Sequence, residues 1–306
     1  MIIILGPTAS GKTRLAVQLA HRLNGEIISA DSRQVYRDMD IGTGKDLDEY
    51  RVGDAPVPYH LINIVDAGTE YNLYEFQKDF HAALANIQQR KKLPVVCGGT
   101  GLYLEAVLKG HQFTAIPIDE AARRALESLP DEELHRIFRE TPSAYTPLAD
   151  TSTRKRLIRA IEISRHLQQH PDAATATTPE LTDFLVVGLN PPVELRRERI
   201  SRRLHERLRN GMIEEVETLL KRGIPAERLI YYGLEYKFIT QYLTGDLDYD
   251  TLSSRLETAI HQFAKRQMTY FRKMERDGLP IHWLDGTRPT PELCEDVVRL
   301  YRTRGL

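Results

Sequence analysis

The chain has only two cysteines in 306 residues, Cys97 and Cys294. With no export signal in view, that scarcity points to a cytosolic, disulfide-free protein. Long apolar runs are also missing. The run near the start, residues 2–5, is far too short for a signal peptide core or a membrane span. Net charge is nearly absent: the formal value is −1, so no global field draws the chain toward nucleic acid. Any such binding needs local basic patches, because phosphate neutralisation is local. There is no internal repeat and no low-complexity tract. What remains is an ordinary globular composition, 41% hydrophobic and 28% charged. The length suits one large domain, or a core with a smaller domain inserted.

The first hundred residues alternate strand and helix. Residues 2–5 read as a buried strand, and 13–23 carry apolar residues at helical spacing (Leu15, Ala16, Leu19, Ala20, Leu23). Further strands are expected at 26–30, 59–65 and 93–97, with an amphipathic helix at 74–90. Continuous apolar strands between helices predict a parallel sheet covered on both faces. From about Ile118 to Gln169 the texture is helical without a convincing strand, and 171–179, rich in Ala and Thr, read as a loop. A strand at 184–189, helix at 192–222, a long helix at 251–276, a short strand at 281–284 and a last helix at 291–302, capped by Thr290, complete the chain. The expected fold is α/β: a P-loop NTPase/kinase-like parallel sheet core, residues 1–115 and 180–306 with C-terminal helices, and an inserted helical domain, residues 116–179.

Gly6-Pro7-Thr8-Ala9-Ser10-Gly11-Lys12-Thr13 follows a strand and opens a helix, the context a P-loop requires. Its glycines let backbone N–H groups turn toward phosphate oxygens, and the helix N-terminus adds its positive dipole end. Lys12 supplies a point charge on phosphate, and the Thr13 hydroxyl can ligate Mg²⁺. The motif specifies phosphate binding, not the reaction.

Asp31 directly follows the second strand, whose C-terminal end faces the ligand crevice in a parallel sheet. A carboxylate there binds Mg²⁺ or does acid–base work; the plainer alternative is that it caps the next turn. Gly98-Gly99-Thr100 follows the strand at 93–97, where a nucleotide hydrolase would carry a metal-binding Asp. Backbone donors and a hydroxyl replace that carboxylate, although Thr100 could also cap a helix. Asp66 ranks below Asp31 as a metal-associated carboxylate, and His60 and Cys97 read as structural.

Six ordered blocks, spread over almost the whole chain, together resemble one family. They are Gly6 to Thr13, Asp31 to Tyr36, the stretch beginning Pro58-Tyr59-His60-Leu61, Gly98-Gly99-Thr100-Gly101-Leu102-Tyr103, Arg156-Leu157-Ile158-Arg159-Ala160-Ile161-Glu162, and Ala264-Lys265-Arg266-Gln267-Met268-Thr269. The chain is similar to the tRNA dimethylallyltransferases, or tRNA isopentenyltransferases. The resemblance implies transfer of a dimethylallyl group from dimethylallyl diphosphate to the exocyclic amine of the adenosine 3′ of the anticodon. It implies Asp31 as general base, Thr100 beside the breaking C–O bond, and Lys12 and Thr13 on diphosphate and Mg²⁺. It implies tRNA contacts for Asp31, Ser32, Arg33, Gln34, Thr100, Arg123, Lys155, Arg156, Arg159, Tyr232, Gly233, Lys265 and Arg266, with the helical insertion gripping the anticodon stem-loop. The expected enzyme is a cytoplasmic monomer without membrane contact. One departure stands out. Ile230 occupies a place where the family often carries an arginine thought to contact diphosphate; Lys237 or Arg228 are the substitutes in reach along the chain.

Local charge fits a tRNA partner. Arg154, Lys155, Arg156 and Arg159 cluster with few acids nearby in sequence, and Lys265, Arg266, Arg272, Lys273 and Arg276 accompany Tyr270 and Phe271. Residues 196–209 instead interleave Arg and Glu at helical spacing and read as a solvated face. Two other readings stay open on residues alone: a small-molecule P-loop kinase using ATP, and a non-catalytic tRNA-binding relative.

Overall fold

The computed structural model describes residues 1–172 and 181–304. The Ala- and Thr-rich stretch expected as a loop at 171–179 lies mostly outside those residues. Strand β1 (Ile2–Leu5) leads through the P-loop into α1 (Lys12–Arg22), followed by β2 (Gly25–Ser29). A small antiparallel hairpin, β3 (Arg51–Val52) and β4 (Ala55–Pro56), precedes β5 (Tyr59–His60), α2 (Leu73–Gln89), β6 (Leu93–Gly98) and α3 (Gly101–Lys109). Three helices follow: α4 (Glu120–Glu127), α5 (Asp131–Glu140) and α6 (Arg154–Gln169). The chain then forms β7 (Leu185–Leu189), α7 (Val193–Arg209), α8 (Met212–Lys221), α9 (Ala226–Tyr231), α10 (Leu234–Leu243), α11 (Tyr249–Arg276), β8 (His282–Leu284) and α12 (Thr290–Thr303). Among the described residues no helix is long and apolar enough to cross a membrane.

The main sheet has six strands in the order β5-β2-β6-β1-β7-β8, and every pairing is parallel. Ile2, Ile3, Ile4 and Leu5 are all fully buried, since β1 is a central strand. One apolar layer joins α1 and α12 to the sheet through Leu15, Leu19, Val297 and Val298. Phe76 and Phe80 of α2 form another buried group with Tyr103 of α3, the Phe76 and Tyr103 rings stacking at 3.9 Å. α2 starts sharply because Asn72 and Glu75 form a reciprocal capping box.

Three local expectations are corrected. The strand expected at 59–65 ends at His60, because Leu61 and Asn63 take left-handed backbone angles, φ 62° and 58°. The helix expected at 192–222 is two helices, broken where Gly211 adopts φ 98°. Thr290 is not the cap of α12: Pro289 holds that position with no side-chain bond, and Thr290 lies in the first turn.

The chain divides into two compact units, residues 1–105 with 182–306 and residues 106–181. The divisions fall ten residues before and two residues after the limits read from sequence. In the smaller unit α6 is the organising helix. Leu157, Ile158 and Ile161 pack with Leu126 and Leu134, while Ile163 and Leu167 pack with Phe113 and Ile116.

Within the larger unit, polar groups tie down the loops after β2. Glu215 of α8 accepts from the backbone N–H groups of Asp40, Ile41 and Gly42 at 2.7, 2.7 and 3.0 Å, and from the Tyr236 hydroxyl at 2.6 Å. Lys45 has a fully buried side chain, and its ammonium donates to the Tyr36 carbonyl, Asp40 Oδ1 and Asn63 Oδ1 at 2.5, 2.6 and 2.5 Å. All three donors are used, so a shape-matched apolar replacement strands three acceptors. We expect Lys45→Met to destabilise the protein by about 2–3 kcal/mol, read as a lower urea midpoint at unchanged slope. A shift under about 0.5 kcal/mol would mean that water replaces the ammonium freely.

Candidate active site

The P-loop owes its shape to two left-handed residues, Ala9 at φ 61° and Gly11 at φ 90°. Such turns direct successive N–H groups into one concavity, and Gly11 hands the chain directly to α1. Lys12 and Thr13 therefore sit at a helix N-terminus lining an open cleft of about 1030 Å³. Burial pulls the Lys12 ammonium below its ordinary value, partly opposed by the Cys97 thiol and Asp31. Lys12 has no ion pair among the described residues, and the buried Ser10 hydroxyl has no partner. Cys97 is a buried strand residue, its thiol pushed up to about 11 by burial.

Asp31 and Thr100 enter the same cleft from adjacent strand ends. A Cβ on Gly98 would stand 2.2 Å from the Ala30 carbonyl oxygen, so only glycine lets the ends of β2 and β6 approach this closely. The Thr100 hydroxyl then accepts from Ser32 N–H at 3.1 Å. Asp31 Oδ1 accepts from Arg33 N–H at 2.9 Å, while Oδ2 has no protein partner among the described residues. One oxygen of Asp31 thus caps the turn, and the other is left open.

Other residues implied by resemblance separate into those that reach the cleft and those that do not. Ser32, Arg33, Gln34, Gly233 and Arg266 line it, with Arg33 stacked over the Tyr231 ring at 5.7 Å and Arg266 over Phe263 at 5.9 Å. Gln34 spends both ends of its amide on Ser29 and Gly44. Tyr232 also lines the cleft, but its side chain is fully buried, with its hydroxyl accepting from Gly68 N–H and donating to the Thr69 carbonyl. It braces a turn and cannot present its ring to nucleic acid. Its neighbour Tyr231, 65% exposed, is the available aromatic. Lys265 is exposed without an ion pair among the described residues. Asp66 is withdrawn as a reserve carboxylate, since it lies outside the cleft and pairs with Arg37 at 2.7 Å. His60 is structural, 2.7 Å from Glu26. Ile230 does line the cleft; Lys237 lines it too, whereas Arg228 pairs with Glu70 at 2.8 Å away from it.

Three residues passed over in the sequence also line the cleft. Gln267 Oε1 accepts from Thr8 N–H at 2.8 Å, and Nε2 donates to the Gly99 carbonyl at 2.9 Å, so one buried amide joins the P-loop to the Thr100 turn. The signal was available: Leu256, Ile260, Ala264 and Phe271 form the buried stripe of α11, and Gln267 is a polar residue on it. Arg203 donates to the Thr8 hydroxyl at 2.5 Å. Reading residues 196–209 as a solvated face is thus corrected: Arg202 pairs with Glu198 at the surface, yet Arg199, Arg202, Arg203 and Arg207 all line the cleft. Glu235 is the third, its carboxyl pushed up by burial.

In the smaller unit the basic cluster is less free than its sequence suggests. Arg123 pairs with Glu162 at 2.7 and 2.8 Å, and Arg159 shares that carboxylate while donating to the Ile116 carbonyl at 2.6 Å. Arg156 pairs with Asp150 at 2.7 Å, and Arg154 with Asp131. The missing acids come from elsewhere in the chain. Lys155 is exposed and has no such partner among the described residues.

The sheet, the strand-to-helix phosphate cradle and the polar groups at adjacent strand ends define a P-loop-type α/β enzyme. Comparison with known proteins gives the family. The model described as IPP transferase matches residues 34–274, and that described as isopentenyl transferase matches residues 1–53. The chain is 54% identical to tRNA dimethylallyltransferase 2 of Porphyromonas gingivalis, each covered over 100% of its length. It is 49% identical to tRNA dimethylallyltransferase 1 of Parabacteroides distasonis, covering 98% of this chain and 97% of that protein. A crystal structure of a tRNA isopentenylpyrophosphate transferase from Bacillus halodurans aligns with a TM-score of 0.70 at 31% identity, over 99% of this chain and 97% of that one. A eukaryotic dimethylallyltransferase acting on tRNA aligns with a TM-score of 0.74 at 26% identity, over 94% and 73%. The chain belongs to the tRNA dimethylallyltransferase family of IPP transferases, which decides against the kinase and the non-catalytic alternatives.

Gln267 offers a test of how the two halves of the cleft are aligned. Leucine preserves its bulk but neither accepts from Thr8 nor donates to Gly99. We expect Gln267→Leu to lower prenyl-transfer turnover about 10²-fold through misplacement, while tRNA affinity stays near the parent's. Near-parental turnover in single-turnover assays would show that P-loop and Thr100 hold their places unaided.

Proposed function

We propose that this enzyme transfers a dimethylallyl group from dimethylallyl diphosphate to the exocyclic amine of the tRNA adenosine 3′ of the anticodon, releasing diphosphate. The observation carrying this reading is the convergence of Lys12, Asp31 and Thr100 on one cleft. The lone pair of the amine forms the new N–C bond while the C–O bond breaks, its electron pair leaving with diphosphate. Asp31 takes the amine proton through the oxygen that the Arg33 turn leaves unused. P-loop N–H groups and Lys12 stabilise charge growing on the leaving group, and the Thr100 hydroxyl lies beside the breaking bond. The adenosine leaves its stack to enter the cleft.

Mg²⁺ fits the donor set. Thr13 offers a hydroxyl and Asp31 a carboxylate on the same cleft, and Mg²⁺ characteristically takes its other ligands from phosphate and water. Thr13 would hold the ion, whose charge would offset that of diphosphate. For tRNA we retain Asp31, Ser32, Arg33, Thr100, Gly233, Lys265 and Arg266 in the larger unit and Lys155 and Arg156 in the smaller one. Arg123 and Arg159 act there by holding the fold. The reading includes a cytoplasmic monomer.

Incubation with dimethylallyl diphosphate, Mg²⁺ and unmodified tRNA, followed by nucleoside mass analysis, tests the proposal directly. One prenyl unit gained on adenosine supports it; unchanged nucleosides refute it. For Asp31 we expect Asp31→Asn to slow single-turnover transfer by roughly 10²–10⁴-fold, with affinities for both substrates little changed. Asn caps a turn nearly as well as Asp, so a rate within a few-fold of the parent would reduce Asp31 to its turn.

A further inference from the structure

Arg196 breaks the pattern of its helix. The buried stripe of α7 consists of Arg196, Ile200, Leu204 and Leu208, a cation followed by three aliphatic side chains. Arg196 is only 7% exposed, and its side chain has no ion pair or hydrogen bond among the described residues. Burial, then the neighbouring Arg272, pull the guanidinium below its ordinary value. Its place in the first turn of α7 adds to this, since a helix N-terminus favours anions over cations. Glu194 acts on it from the same turn but is exposed and forms no ion pair with it. The guanidinium is nevertheless within reach of a ligand: the sealed polar atoms without a partner, among the described residues, belong to Ser10, His81, Thr240 and His261. A cation held away from most of its water without a counter-ion costs free energy until an anion meets it.

Arg272 belongs to a row. Lys265, Arg272 and Arg276 recur at helical spacing on one face of α11 and span about 16 Å at 1.5 Å per residue. All three are exposed, and none has an ion pair among the described residues. The acids nearby are engaged elsewhere: Asp277 with Lys273 at 3.4 Å, and Glu275 with the Trp283 indole N–H at 3.1 Å. Neither Arg196 nor any of these three lines the cleft, although Arg266, next to Lys265, does. A single phosphate answers to one or two such charges. A row of this length matches a polyanion whose charges repeat along a strand.

We infer that Arg196 and Arg272 together hold a backbone phosphate of tRNA outside the cleft, on a track that Arg276 continues along α11. The identity of the polyanion rests on the transfer reading above; the unneutralised arginine pair does not.

Filter binding of unmodified tRNA across a salt series reads this site without turnover. Arg196→Met keeps an apolar stem and removes the charge, while Arg272→Gln removes a charge from an exposed position. Each should weaken tRNA binding about tenfold, and the double variant should lower the log–log salt slope by about one. Arg196→Lys should recover most of the affinity. Affinity for inorganic diphosphate, and the single-turnover transfer rate at saturating tRNA, should stay at parental values. Affinity for tRNA within twofold of the parent in Arg196→Met would make Arg196 a packing residue and overturn the inference. If Arg196→Met does not fold, parental tRNA affinity and slope in Arg272→Gln overturn it equally. Inorganic phosphate binding that is lost in Arg196→Met while tRNA binding is untouched would give the pair to a free anion, which also overturns it. A parent that binds tRNA but prenylates none would sink the transfer reading while the salt slopes still decide the pair. A parent that binds no tRNA defeats both.

Discussion

Thr8 is held at two points by helices that come about two hundred residues later. Its backbone N–H is taken by Gln267 of α11 and its hydroxyl by Arg203 of α7. A loop containing a left-handed Ala9 does not keep that shape through local preference, since a side chain with a Cβ resists it. The constraint must come from packing. Gln267 also grips Gly99, so the bond that secures the phosphate loop also sets its distance from Thr100. Loss of either grip loosens the spacing between the phosphate loop and Thr100.

The same economy of contacts governs the loop after β2. Asp31 and Ser32 are placed by the end of a central strand, but residues 36–45 beyond them have little regular structure. Glu215 and the buried Lys45 supply the order there, one by collecting three backbone donors and the other by saturating three acceptors. Both are charges spent on folding within a unit whose cleft keeps Lys12 and Arg203 unpaired. The contrast is physical: a carboxylate or ammonium surrounded by fixed partners is satisfied, whereas a cation facing an open cradle remains available to an anion.

Charge in the smaller unit shows how pairing alters a basic sequence. Arg154, Arg156 and Arg159 lie in a stretch almost free of acids, yet each meets a carboxylate on another segment or a turn away. Exposed pairs of this kind are weak and can be exchanged for phosphate at small cost. Glu162 is different, because it is buried between Arg123 and Arg159 and those two guanidiniums are bound into the core of the unit. Lys155 and Arg156, by contrast, are exposed and are not bound into that core.

Much of the chemistry was legible along the chain. Strand, glycine-rich turn and helix in succession specify a phosphate cradle through backbone geometry alone, and parallel strands necessarily deliver the residues after them to one edge of the sheet. Asp31 and Thr100 could be placed together on that basis, because both follow strands directly. The helical texture beginning near Ile118 was readable for the same reason: periodicity is local. Tertiary structure decided everything that depends on partners distant in sequence. It buried Tyr232, removed Asp66 to an ion pair with Arg37, and turned one polar residue on the α11 stripe into the link between two loops. It also determined which arginines are neutralised, because Coulomb energy and desolvation depend on distance in space and on burial, neither of which is written in the order of residues.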